Sequence, residues 1–261
     1  LIKIKVKFVL LLGSTYIYIY YNQTLLMNKK HITVFGTCRL GIIENCTNLH
    51  KLISFTHTTK ETLQLIKCLN NELIIPPEIA RSCFRTPFLT QACKTDLTIQ
   101  QKKDFQDSAV FLIEICSKKT YMYDSYYLHR MCVRKRNILI TPDFIMNNHS
   151  IIPQSDIEIE EDILLLQKLL HPRKLILVSH FNVISPVTNN VLPARDELIQ
   201  LLRKISVTYN IPLIEPAVVL KDYKQSDIVH IDLQHYEEYG LSLMSKYLND
   251  YLKNYMKLNI C

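Results

Sequence analysis

Short apolar runs that alternate with amphipathic stretches constrain this chain more than any other feature. HITVFG (31–36), KLISF (51–55), AVFLIEI (109–115), KLILVS (174–179) and IPLIEP (211–216) are too short for ordinary helices and largely apolar. Strands buried on both faces have this composition. Between them, TKETLQLIKCLNNEL (59–73), SDIEIEEDILLLQKLL (155–170), ARDELIQLLRKISVTYN (194–210) and YEEYGLSLMSKYLNDYLKNY (236–255) repeat their apolar residues with helical period. Ser155, followed by Asp156 and further acids, marks a helix start with negative charge at the positive end of the dipole. Such alternation predicts an α/β fold with a mainly parallel sheet covered on both faces, where chemistry gathers at the carboxyl ends of the strands. Residues 76–108 and TYMYDSYYLHRMCVRKRN (120–137) break the alternation and read as elaborations of that core.

At 261 residues, 48% hydrophobic and 21% charged, the chain has the size and composition of one such domain. Residues 1–26 are set apart. Three lysines (Lys3, Lys5, Lys7) precede a mostly apolar stretch that is short against the roughly 20 residues of a membrane span and lacks a clear cleavage site. The expectation is an N-terminal extension, from an over-extended reading frame, a weak anchor or a loosely attached strand. A single cytoplasmic domain, 27–261, then begins at Met27, and no stable membrane span is expected unless the extension anchors the chain. Net charge is +7, but the only dense basic run is RMCVRKRN (130–137). One short run is a solvated face rather than a phosphate-backbone tracker, so no nucleic-acid partner is expected. Eight cysteines stand at 38, 46, 68, 83, 93, 116, 132 and 261 without CxxC spacing or a neighbouring His cluster. This pattern predicts no metal site and a reducing compartment.

The chain has four glycines, and two of them bracket a cysteine in FGTCRLG (35–41). A side chain on a tight turn at a strand's carboxyl end stands exposed above the sheet. Backbone N–H groups and a following helix there favour thiolate and can stabilise an oxyanion. Cys38 is therefore a candidate nucleophile, flanked by Thr37 and Arg39. The turn is no dinucleotide fingerprint, because Cys38 stands where a glycine is needed, and it has no GK[ST] of a P-loop. Glu44 occupies the position at which a cysteine phosphatase needs arginine. A third glycine, Gly240, closes DLQHYEEYG (232–240). Asp232 there can hold one imidazole nitrogen of His235 and leave the other free to take a proton.

A nucleophile after the first core strand and an Asp-x-x-His block before the last helix resemble the SGNH (GDSL-like) hydrolase superfamily. Gly36-Thr37-Cys38 stands in the first block and Asp232-Leu233-Gln234-His235 in the last. Cysteine in place of serine is similar to the GSCFA-domain branch and to capsular-polysaccharide acyltransferases with a Gly-x-Cys turn. The resemblance implies a three-layer sandwich with a flavodoxin-like sheet and a Cys38–His235–Asp232 triad. The middle blocks depart from the family. Glu114-Ile115-Cys116-Ser117 replaces its Gly-x-Asn-Asp, and Phe55-Thr56-His57-Thr58 stands where a glycine often donates its N–H. Oxyanion donors therefore cannot be carried over. Thr37, Arg39, His57, Glu114, Ser117, His180 and Asn182 are the oxyanion or substrate-binding candidates.

The expected function is acyl transfer to, or ester hydrolysis of, a glycan or small-molecule ester through an acyl-enzyme. No cofactor is required. An acyl-coenzyme A donor would suit Arg39 and Arg85, although the chain has no coenzyme A motif. Two alternatives are a non-enzymatic carbohydrate-binding or virion-type protein on the same fold, and a redox thiol resolved by Cys46. Geometry separates them: an enzyme must bring Cys38 and His235 to one site.

Overall fold

The computed structural model describes residues 2–12, 15–25, 31–40, 55–84, 97–133 and 141–259. It divides into two compact units, Leu1–Lys30 and His31–Cys261. The first unit is an antiparallel hairpin of β1 (Ile2–Leu12) and β2 (Thr15–Leu25), in register from Ile2 opposite Leu25 to Leu12 opposite Thr15. Among the described residues, no helix is long and apolar enough to cross a membrane.

In the second unit β3 (His31–Phe35) is followed by α1 (Thr59–Leu69), α2 (Pro77–Cys83), α3 (Ile99–Gln106) and β4 (Ser108–Ile115). Then come β5 (Lys119–Tyr123), β6 (Tyr126–Leu128), α4 (Asp143–Asn148), β7 (Ser150–Pro153) and α5 (Asp156–Leu170). The chain continues through β8 (Lys174–Ser179), α6 (Pro193–Tyr209) and β9 (Leu213–Ile214), and two short helices, α7 (Pro216–Val219) and α8 (Gln225–Ile228), precede the long α9 (Glu238–Asn259).

The central sheet has the order β3-β4-β8-β9 with every neighbouring pair parallel. Beyond β3, Gly36 forms a parallel bridge with Phe55, where the expected strand 51–55 ends; the rest of that stretch lies outside the described residues. Alternation of side chains across the sheet builds two cores. Phe35, Phe111, Ile113, Leu175 and Leu177 face one side, against Leu63 and Ile66 of α1, Ile163 and Leu166 of α5, and Leu202 and Ile205 of α6. Ile32, Val34, Val110, Leu112, Ile176 and Val178 face the other, against Met244, Leu248 and Leu252 of α9. The architecture is therefore a three-layer α/β sandwich, with the chemistry-bearing ends of β3, β4 and β8 on one edge.

Local signals set the element ends. Ser155 caps α5 in a capping box, accepting the Glu158 N–H at 3.2 Å while Glu158 accepts the Ser155 N–H at 2.7 Å. Helix α1 stops at Leu69, short of the expected 73, because the chain turns at Asn70 and Asn71, the latter at φ 61. The elaboration after β4 is a second sheet, antiparallel with order β6-β5-β7.

Candidate active site

Strand β3 delivers Gly36 to the sheet edge, and the chain turns at once. Leu40 N–H donates to Thr37 O at 3.0 Å, closing a single 3₁₀ turn over residues 38–40. Gly36 is required by crowding. A Cβ built there would lie 2.8 Å from Glu114 Cβ and 2.9 Å from Leu40 Cδ1. Cys38 at the crest of the turn is exposed, while Thr37, Arg39 and Leu40 around it are buried.

Glu114, near the end of the neighbouring strand β4, fastens this turn from below. Its Oε2 accepts from Thr37 N–H at 2.8 Å and from Thr37 Oγ1–H at 2.6 Å. Its Oε1 accepts from Arg39 Nε–H at 2.9 Å, with Arg39 Nη2 at 2.8 Å in the same ion pair. Burial alone would lower the affinity of Arg39 for its proton, but the Glu114 carboxylate raises it above the ordinary arginine range. The guanidinium then reaches further: Nη1–H donates to Gln234 O at 3.0 Å. One side chain thus spans from the residue after Cys38 to the residue before His235.

The second motif is a compact loop between α8 and α9. His230 N–H donates to His235 O at 2.9 Å, and Val229 bridges Tyr236. Inside the loop Asp232 Oδ1 accepts the N–H groups of Gln234 at 2.8 Å and His235 at 3.1 Å. Its Oδ2 lies 2.6 Å from His235 Nδ1. This leaves the Nε2 edge of His235 as the proton acceptor, with Nδ1–H donated to the carboxylate. Leu233 pays for the tight path with φ 58, a left-handed conformation that is costly for leucine. Desolvation would raise the Asp232 pKa, but the hydrogen bonds from Gln234, His235 and His230 hold it well below the usual carboxylate range.

Cys38 and His235 line the same cleft, a cavity of about 400 Å³ at the sheet edge. Thr37, Arg39, His57, Cys116, His129, Arg130, His180, Arg195 and Gln234 are also on its wall. Of the candidates read from sequence, Thr37, Arg39, His57 and His180 are therefore in the cleft. His180 donates from Nδ1 to Phe181 O at 2.9 Å, and burial with two nearby arginines drives its pKa well down, so it is a neutral ring. Three other candidates sit elsewhere. Glu114 is off the wall and works beneath the turn. Ser117 accepts the Lys119 N–H at 3.0 Å in a backbone turn. Asn182 is taken up by Asp196 at 2.8 Å, tying the end of β8 to α6. Arg85, invoked for a coenzyme A donor, lies outside the described residues, as does Cys46.

His57, Glu61 and His129 place ligand atoms within 4.8 Å of one another. Met131 N–H donates to His129 Nδ1 at 3.1 Å, which makes that nitrogen an acceptor. Glu61 accepts the His57 N–H at 3.1 Å in the first turn of α1. Cys116 is a neutral thiol, pushed up to about 12 by burial against the pull of Arg39.

Arg130 and Arg195 were not singled out by sequence, yet each lines this cleft and has a buried nitrogen without a hydrogen-bond partner, Nε of Arg130 and Nη1 of Arg195. For Arg195 a sequence signal existed. It is a cation in the first turn of a helix, the end where the dipole disfavours positive charge.

The fold is similar in outline to several solved structures. A lipase/acylhydrolase from Enterococcus faecalis aligns at 10% identity and a TM-score of 0.49, covering 86% of this chain and 96% of that one. A GDSL-like lipase from Bacteroides thetaiotaomicron aligns at 11% and 0.42, covering 89% and 91%. An acetylxylan esterase from Geobacillus stearothermophilus aligns at 11% and 0.42, covering 84% and 92%. A comparison with curated proteins gave no significant sequence match. The family model of the TviD N-terminal domain matches residues 30–138 and 143–250, most of the second unit and both motifs. The chain belongs to the TviD N-terminal domain family.

Proposed function

We propose that this protein is an acyl-group enzyme with Cys38 as nucleophile, His235 as its base and Asp232 as the residue that orients the base. The observation that carries this reading is the meeting of two motifs almost 200 residues apart in one cleft, with the His235 ring already set by Asp232 at 2.6 Å. In the reaction His235 takes the Cys38 proton as the sulfur–carbon bond forms on an ester or thioester carbonyl. The leaving alkoxide or thiolate departs with that proton as the carbonyl reforms, giving a thioester acyl-enzyme. Water or a hydroxyl, deprotonated by His235, then attacks the thioester and Cys38 recovers its proton. Asp232 stabilises the imidazolium in both halves without titrating itself.

We place the acceptor among glycan hydroxyls, with hydrolysis of a glycan or small-molecule ester as the same chemistry ended by water. What supports this is the resemblance of the Gly36-Thr37-Cys38 turn to capsular-polysaccharide acyltransferases. The test is intact-mass spectrometry after brief exposure to acetyl-coenzyme A and to p-nitrophenyl acetate. One acetyl group is expected on the wild type, absent in Cys38→Ala and formed roughly 10²- to 10⁴-fold more slowly in His235→Ala, the usual range for a general base. An adduct that survives Cys38→Ala would sink the assignment.

A further inference from the structure

Arg195 is held where three effects disfavour a cation. It stands in the first turn of α6, at the positive end of the dipole. A second cation is close: the Phe181 ring that its guanidinium faces at 5.4 Å, an attractive cation–π contact, is shared with the Arg39 guanidinium at 5.8 Å. It is partly withdrawn from water, with Nη1 buried without a hydrogen-bond partner, and the residue lines the cleft that holds Cys38 and His235. Desolvation first, then Arg39, pushes its pKa down to about 10, which still leaves it charged at neutral pH. Asp232 attracts it electrostatically, but that carboxylate is already occupied by His235, Gln234 and His230.

Charge and hydrogen-bonding capacity left unbalanced in a cleft are balanced when negative charge develops beside them. In this site such charge has a source. The residues that would donate to an oxyanion in the resembling family are replaced here, and Glu114, near the end of β4, is an acceptor already spent on Thr37 and Arg39. We propose that Arg195 is the oxyanion donor of the acyl-transfer step, an N–H of its guanidinium taking up the charge on the substrate carbonyl oxygen. The inference rests on the acyl-enzyme reading above. As Cys38 sulfur bonds to the carbonyl carbon, the π pair moves to oxygen and the thiol proton moves to His235. Arg195 donates a charge-assisted hydrogen bond to that oxygen and keeps its own proton. When the tetrahedral species collapses, the pair returns to the carbonyl and the leaving group departs with the proton from His235. Arg195 is thus a catalytic residue in the strict sense, because it touches the reacting atom.

The experiment measures single-turnover acylation by p-nitrophenyl acetate, an uncharged ester with no anionic group to bind in the ground state. Wild type, Arg195→Met and Arg195→Lys are compared, each checked for a cooperative thermal transition. Alkylation of Cys38 by iodoacetamide runs in parallel, since that displacement forms no carbonyl oxyanion. The expected result is a loss of about 10²- to 10³-fold in the acylation rate constant of Arg195→Met, typical of removing one oxyanion donor. Half-saturation and alkylation should be unchanged, and Arg195→Lys should recover part of the rate. A raised half-saturation with an unchanged rate constant would make Arg195 a substrate anchor and overturn the proposal. So would an equal loss in acylation and alkylation, which reports damage to the thiol. If Arg195→Met does not fold, Arg195→Ala is measured in its place, and an undiminished acylation rate there also overturns it. A wild type that forms no Cys38 adduct fails at the parent reading and takes this inference with it. Acylation of Cys38 that is indifferent to Arg195 fails this inference alone.

Discussion

Replacing Glu114 by glutamine keeps most of its shape but removes the charge against which Arg39 is buried. The amide can still accept from Thr37, yet it then turns an N–H₂ group towards the guanidinium. Breaking a buried pair from one side costs about 3–5 kcal/mol, because the remaining charge is left without compensation. Both side chains here are nearly inaccessible, at 2% for Glu114 and 9% for Arg39. Glu114→Gln is therefore expected to lower the unfolding free energy by about that amount in urea denaturation. A loss under about 1 kcal/mol, the range of exposed pairs, would mean that the pair is not buried in solution. That Cys38 and His235 would share a cleft, with Asp232 against the ring, could be expected from the sequence because these residues stand close to a glycine or within one short loop. The work of Glu114 was not. Its partners lie 75 and 77 positions away, and parallel pairing, not spacing, brings them together. Sequence put Glu114 on the pocket wall, whereas the structure puts it underneath.

At the scale of elements, α9 shows how one glycine can reverse an ordinary rule. Within a helix, glycine to alanine normally stabilises by up to about 1 kcal/mol. At Gly240 a Cβ would come within 2.2 Å of the Ile228 carbonyl oxygen, which is backbone and cannot swing aside. Gly240→Ala is therefore expected to destabilise, by about 1–3 kcal/mol as overpacking does. It should also disturb the loop between α8 and α9 that carries Asp232 and His235. Chemical denaturation gives the sign, and a stabilised variant would refute the contact. The parallel strands and long helices were legible because each has one dominant period. The antiparallel sheet of β5, β6 and β7 was not: its strands run to 3–5 residues and expose much of their surface, so neither a buried run nor a clean alternation marks them.

At the scale of the whole molecule the described cysteines differ in exposure: Cys38 is exposed, Cys116 is half-buried, and Cys68, Cys83 and Cys132 are buried. Burial pushes Cys68 up to about 11 and Cys83 higher still, against about 8.5 for a free thiol in an unfolded chain. A thiol whose pKa is raised by folding stabilises fully below the unfolded value. That contribution is lost as pH rises from about 8.5 towards the folded value. Unfolding free energy should therefore fall between pH 8.5 and 11, and fall less steeply in Cys83→Ala. Denaturation curves at a series of alkaline pH values supply the comparison, and equal slopes would exclude Cys83 as a cause.

The strap from Arg39 to Gln234 makes the Asp232–His235 loop a preassembled cartridge clipped to the body of the protein. The loop builds its own Asp–His pair from contacts within six residues, and the Arg39 side chain fastens it to the turn that carries Cys38. On the acyl-enzyme reading proposed above, losing Arg39 is expected to loosen the register between Cys38 and His235 while every residue of the two motifs stays in place. A comparison of related chains by Cys, His and Asp alone would miss that difference; the arginine after the cysteine carries it.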